Sequence, residues 1–204
     1  MSICAVLFDI GGAVDLEFAW EIAVDGAIAA ACGMESIRVD PSMIEEASDK
    51  AVEAFAPDTY AHMIESLCGG EPISIARVTQ RVRAMTCALD AFQLRPGINT
   101  LLQKLRKSGV ILVAVNAKAE RPELAGLFER QIDVPPQDCI FVGDRIDKDI
   151  APAKARGMKT VQFRSGRWRK QRPRTEAETP DAVVTDVREL EEELLRWLVR
   201  SPLS

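Results

Sequence analysis

Two short apolar runs, one near each end of the chain, finish in the same residue types and limit what the chain can fold into more than any other feature. Ile3-Cys4-Ala5-Val6-Leu7-Phe8 runs into Asp9-Ile10-Gly11-Gly12, and Cys139-Ile140-Phe141-Val142 runs into Gly143-Asp144. Uninterrupted apolar runs of this length read as strands buried on both faces. A carboxylate at the carboxyl end of such a strand, on a turn loosened by glycine, is where open α/β sheets present reacting groups. Two such ends imply one shared divalent-cation pocket.

The rest of the chain changes character twice. Residues 16–32, 42–55, 58–67 and 74–92 have apolar positions at helical spacing, and the breaks at Gly33, Pro41, Pro57, Gly69-Gly70 and Pro96-Gly97 divide them into a bundle with no confident strand. Beyond Pro96 the pattern alternates. Helices are expected at 98–107, 122–130, 148–156 and 187–199, with strands at 110–115, 139–142, 159–163 and 182–184. Apolar runs alternating with helices specify an α/β fold with a Rossmann-like parallel sheet. The division expected is an α/β core over 1–14 and 96–204, with a helical insertion over 15–95. Met34, Met43, Met63 and Met85 read as core of that insertion, and residues 164–180 are polar enough for a mobile loop.

Composition narrows the function. A length of 204 residues, 47% of them hydrophobic, is enough for a real core, and a net charge of −5 argues against a general nucleic-acid binder. One basic cluster stands out: Arg164, Arg167, Arg169, Lys170, Arg172 and Arg174 surround Trp168. It reads either as an anion-binding patch or as a solvated loop balancing the acidic remainder. Five widely spaced cysteines fit reduced thiols and a cytoplasmic location. No apolar stretch reaches the roughly 18 residues that span a bilayer, and the lone His62 has no partner for a zinc site.

Taken together, Phe8-Asp9-Ile10-Gly11-Gly12, the strand ending at Asn116, Arg121-Pro122, and Phe141-Val142-Gly143-Asp144-Arg145-Ile146-Asp147-Lys148-Asp149 with Ala155-Arg156-Gly157 resemble the haloacid dehalogenase (HAD) superfamily. The helical insertion sits where that superfamily carries its cap. The resemblance implies a Mg²⁺-dependent phosphatase acting on a small phosphorylated metabolite. Asp9 would be the nucleophile, forming an aspartyl-phosphate that water then hydrolyses. Asp9, Asp144, the Gly11 carbonyl and Asp149 would hold Mg²⁺, with Asp147 able to substitute for Asp149. Asn116, Lys118 and Arg121 would contact the phosphoryl group.

The departures from the family pattern are equally specific. Gly11 stands where phosphatases of the family carry a second aspartate, and general acid–base help of that kind is worth roughly 10²–10⁴ in rate. Val115 stands where a hydroxyl is usual and reads as core. Only four residues separate Asn116 from Arg121, where a helix and a strand are usual. One edge strand of the sheet is therefore expected to be missing, leaving 110–115 to be covered by the Arg121 loop or by another chain in a homodimer. Two alternatives follow: a degenerate metal- or phosphate-binding module without turnover, and a haloacid dehalogenase.

Overall fold

The structure, a computed structural model, describes residues 3–115, 121–129 and 132–199. Strand β1 (Ala5–Phe8) is followed by helices α1 (Phe18–Met34), α2 (Pro41–Glu53), α3 (Thr59–Leu67), α4 (Pro72–Thr86) and α5 (Ile98–Lys107). Strand β2 (Ile111–Ala114), strand β3 (Cys139–Gly143), helix α6 (Ala151–Ala155), strand β4 (Lys159–Phe163), strand β5 (Ala182–Val184) and helix α7 (Val187–Val199) complete the order. The chain forms two compact units, Met1–Leu16 with Gln93–Ser204, and Glu17–Phe92.

The first unit is a five-stranded sheet in the order β2-β1-β3-β4-β5 with every pair parallel. β3 is buried along its whole length, and Ala5, Val6 and Phe8 of β1 are fully inaccessible, as expected of strands covered on both faces. The register aligns Phe8 with Ala114 on one side and with Val142 on the other, so Asp9 and Gly143 leave the sheet at the same level. This strand order has its topological switch between β1 and β3, where parallel sheets open a crevice at the carboxyl ends of the strands. Both acid-bearing turns therefore emerge at the switch.

Helix α5 covers the sheet with a stripe of Ile98, Leu101, Leu102 and Leu105 at the spacing of one helix face. Helix α7 buries Leu190 and Leu194, and its start is tied down reciprocally: Glu189 accepts from the Thr185 N–H while its own N–H donates to Asp186. The chain leaves and re-enters this unit through an antiparallel bridge between Asp15 and Leu94. Leu16 donates to the Gln93 carbonyl at 2.9 Å and Arg95 to the Val14 carbonyl at 2.8 Å.

β2 is an edge strand of the sheet, and the segment after Arg121 meets it. In the helix expected over 122–130, the described residues 122–129 form only a single 3₁₀ turn over Pro122–Leu124, which gives way to Gly126, whose φ of 70° breaks the spiral. The chain then straightens. Glu129 forms a parallel bridge with Val113 and donates to the Leu112 carbonyl at 2.7 Å, a single rung where a further strand would lie. Leu124 is buried, and Phe128 meets Phe8 edge-to-face at 6.2 Å, which anchors this rung to β1.

The helical unit packs around Ile28, Ala31, Cys32, Met63, Ile64 and Val78. Three of its helices start on a side-chain cap: Asp40 accepts from Met43 N–H, Asp58 from Ala61 N–H, and Glu71 from Ile73 and Ser74 N–H groups. Pro41 and Pro72 at the helix starts have no N–H to leave unsatisfied. The expected helix over 74–92 ends at Thr86, and Val82 is its last buried position. Of the methionines read as core, only Met63 is buried; Met34, Met43 and Met85 are exposed. None of the five cysteines is in a disulfide. Burial, reinforced by the neighbouring Cys68, pushes Cys32 up to about 11. Among the described residues no helix is long and apolar enough to cross a membrane.

Candidate metal and phosphate site

Asp9 begins where β1 ends, and its N–H still donates to the Val142 carbonyl at 2.9 Å, so the strand pairing fixes its backbone. Asp144 follows β3 directly and is buried. Asp149 lies on the turn that joins β3 to α6. The helix expected over 148–156 opens two residues early as a π-helical turn over Ile146–Ile150, and α6 proper starts at Ala151. Pro152 explains the wide turn, because its ring has no N–H to return to Lys148 and would clash with that carbonyl in a regular α-helix. The Arg145 carbonyl accepts from the N–H groups of both Asp149 and Ile150, and the wider turn carries the Asp149 carboxylate back toward Asp144.

One oxygen from each of Asp9, Asp144 and Asp149 lies within 4.8 Å of the other two. Octahedral Mg²⁺ sets neighbouring ligands about 3 Å apart and opposite ones about 4 Å apart. The three carboxylates thus need only a small adjustment to share one such ion, and their hard oxygen donors suit it. Two glycines make this convergence possible. A Cβ on Gly12, which has a φ of 69°, would lie 2.2 Å from an Asp144 carboxylate oxygen, and a Cβ on Gly143 would lie 2.5 Å from the Cβ of Asp149.

Crowding of like charges shows in the protonation of Asp149. Burial first, and then the charge of Asp9, push its carboxyl up to about 7, against the opposing pull of the Arg145 N–H and guanidinium. The Arg145 N–H donates to one Asp149 oxygen at 2.8 Å. Asp147 faces away from this trio. It pairs with Arg145 at 2.6 Å and accepts from the Gln171 amide at 3.1 Å, so it does not take the place of Asp149. Burial would raise Asp147, but those hydrogen bonds and the Arg145 charge outweigh it and hold its carboxyl below the usual range.

The segment expected to be a mobile loop is packed against this site. Arg167 and Gln171 are buried, and Arg167–Lys170 and Glu176–Glu178 form 3₁₀ turns. Trp168 lies under the Arg145 guanidinium, 4.1 Å from ring centre to Cζ. Gln171 accepts from the Ile146 N–H at 2.6 Å. On the other side of the site, Arg95 donates to the Gly12 carbonyl and, at 2.7 Å, to Ser165, which also donates to that carbonyl at 3.1 Å. Arg95, Ser165, Trp168 and Gln171 were not among the residues expected from sequence. A lone tryptophan amid arginines was the one local signal in that stretch.

The remaining expected residues are placed as follows. The Gly11 carbonyl accepts from the Ala13 N–H at 2.7 Å within the Asp9 turn. Val115 is not core: its N–H donates to the Phe8 carbonyl, and its side chain is 51% exposed at the same end of the sheet as Asp9. Arg121 starts the 3₁₀ turn and pairs with Glu123 at 3.4 Å. Asn116 and Lys118 lie outside the described residues.

Comparison with known proteins agrees with this architecture. Residues 115–190 match the HAD-hydrolase-like family model. The fold is that of a predicted phosphatase of Clostridium acetobutylicum (TM-score 0.67, 16% identity, 96% of this chain and 100% of that one). It is also that of a HAD-hydrolase of Bacillus subtilis solved with magnesium bound (TM-score 0.64, 16% identity, 97% and 99%). These structures show the fold of the chain, and the family match covers one part of the α/β unit, residues 115–190. Among curated proteins the chain is similar to the glyceraldehyde 3-phosphate phosphatase of Methanopyrus kandleri, with 35% identity over 110 residues, 54% of this chain. It spans 47% of that relative's length.

Proposed function

We propose that the protein is a Mg²⁺-dependent phosphatase that hydrolyses a small phosphorylated metabolite through an aspartyl-phosphate on Asp9. The observation that carries this reading is the convergence of Asp9, Asp144 and Asp149 at the switch point of the sheet, with one oxygen of each within 4.8 Å of the others. The name of the Methanopyrus kandleri relative supports a phosphorylated substrate. By its place in the chain, between the Asp9 turn and the rest of the core, the helical unit is assigned the role of cap.

Asp144 and Asp149, with one Asp9 oxygen, would hold Mg²⁺, which when bound offsets negative charge on the nucleophile and the phosphoryl group. The other Asp9 oxygen attacks phosphorus as the ester P–O bond breaks, and the departing oxygen takes its proton from water, because Gly11 offers no carboxyl group. Water then attacks the phosphorus of the aspartyl-phosphate, releasing inorganic phosphate and restoring Asp9. The three-acid site favours this chemistry over dehalogenation, for which Asp144 and Asp149 would have no task.

A second reading, a module that binds metal or phosphate without turnover, rests on Gly11 and the exposed Val115. Hydrolysis of an aryl phosphate with and without Mg²⁺ separates the two. The phosphatase requires Mg²⁺-dependent release of inorganic phosphate that Asp9→Asn reduces by at least about 10³-fold. Mg²⁺ binding without any turnover in the wild-type protein would establish the module instead.

A further inference from the structure

We infer that Gln171 is a positioning residue for the cation-binding turn: its buried amide fixes the peptide unit that aims Asp149. This inference rests on the metal-site reading above and adds a residue to it. Gln171 is 1% exposed and comes from the loop after β4, 25 positions along the chain from the turn it touches.

The peptide between Arg145 and Ile146 is held at both of its polar groups. Its carbonyl accepts from the N–H groups of Asp149 and Ile150 at 2.9 and 3.2 Å, and its N–H donates to the Gln171 side-chain oxygen at 2.6 Å. The N–H of Arg145, one peptide earlier, donates to Asp149 at 2.8 Å. Rotation of the Arg145–Ile146 unit would therefore carry the Asp149 carboxylate with it. Gln171 opposes that rotation, and its amide nitrogen simultaneously donates to Asp147 at 3.1 Å. Asp147 in turn holds the Arg145 guanidinium, which Trp168 supports from below.

The same peptide explains why glutamine suits the position. A buried N–H on one side and a half-buried carboxylate on the other need one acceptor and one donor from a single neutral side chain, and an amide supplies both. Glutamate would set a second carboxylate against Asp147, and lysine has no acceptor for Ile146. A wide π-helical turn has no internal partner for the Ile146 N–H at its start, so the support has to come from elsewhere in the fold.

The test uses the full chain and Mg²⁺ alone. Gln171→Met keeps the volume and removes both polar contacts; Gln171→Asn keeps the amide but sets it one carbon short, and serves if the methionine variant does not fold. Mg²⁺ affinity measured by calorimetry is expected to fall by about 10–100-fold. Amide exchange at Ile146 in the metal-free protein is expected to accelerate at least about 10-fold, one hydrogen bond's worth of protection. Arg169→Ala, a change on the exposed side of the same loop, should alter neither. A variant with a lowered melting temperature but wild-type Mg²⁺ affinity and Ile146 protection would make Gln171 merely structural and overturn the inference. A wild-type protein that binds no Mg²⁺ would instead remove the metal-site reading beneath it.

Discussion

The two sides of the Asp9 turn are built to different standards. On the β3 side, every polar group described near Asp149 is engaged: the Arg145 and Ile146 N–H groups, the Arg145 carbonyl, Asp147 and both ends of the Gln171 amide. On the β2 side, the described residues depart from the pattern that the sequence resembles. Gly11 has no carboxyl, Val115 presents an apolar side chain to the open end, and one rung from Glu129 stands where a strand would be. Under the proposed metal-site reading, the difference makes the β3 side, which would hold the cation, the intact one and the β2 side, with no carboxyl at position 11 to donate a proton, the reduced one. On that reading holding a cation and completing turnover are separable tasks, and substitutions on each side test them separately.

The largest effect is expected on the reduced side. Gly12, and not Gly11, has the positive φ in the Asp9 turn, so a side chain at position 11 meets no backbone penalty of that kind. Gly11→Asp is expected to raise turnover of alkyl phosphates, whose leaving oxygens need a proton, by about 10²–10⁴-fold, while aryl phosphates gain much less. Steady-state rates on a matched alkyl and aryl pair decide it, and equal gains on both would show that proton donation is not what this side lacks.

On the intact side, Gly12→Ala should cost metal affinity and leave the rest of the fold in place. The added methyl has to displace Asp144 and also occupy a left-handed backbone conformation, which costs about 1–2 kcal/mol for a residue with a Cβ. Mg²⁺ binding is expected to weaken by about 10–100-fold, measured by calorimetry on the folded variant. Unchanged affinity would mean that Asp144 is not a ligand.

A further effect falls on stability. The folded-state value of Asp149, about 7, lies above the ordinary 3.8, so between these values the folded protein holds a proton that the unfolded chain has released. Stability of the metal-free protein should therefore fall as pH rises from about 4 to about 7, by on the order of a few kcal/mol, and level off above. Asp147 and Asp181, both held low, act in the opposite sense and only below about pH 4. Melting curves in chelator should show a steeper decline from pH 5 to 8 for the wild type than for Asp149→Asn, and Mg²⁺ should restore the wild type at pH 8. Parallel curves for the two proteins would place the titration elsewhere.

Much of the fold was legible from local pattern. The helix at 98–107 and the strands at 159–163 and 182–184 have the extents the periodicity implied, because an apolar stripe or an apolar run is a property of a short stretch. The misread stretches share a cause. The helix expected at 122–130, the final turns of 74–92 and the loop at 164–180 depend on what lies opposite them: the edge of β2, the packing of the helical unit, whose last buried position in that helix is Val82, and the polar groups of the Asp144 turn. The assignment of Met34, Met43 and Met85 to the core failed for the same reason, since hydrophobicity does not report how much of a helix the fold covers.

The acids themselves needed no tertiary information. A carboxylate following an apolar strand and a glycine is visible in ten residues, and so is the missing carboxyl at Gly11, because both follow from residue type and spacing. What only the folded structure decided is how those acids are aimed. That Asp149 and not Asp147 joins Asp9 and Asp144 depends on a π-helical turn forced by Pro152, on two glycines too close to their neighbours to carry a Cβ, and on an amide from a loop that sequence describes only as polar. Hydrogen bonds between residues far apart in the chain leave no periodic trace, and their geometry exists only once the sheet has brought the strand ends together.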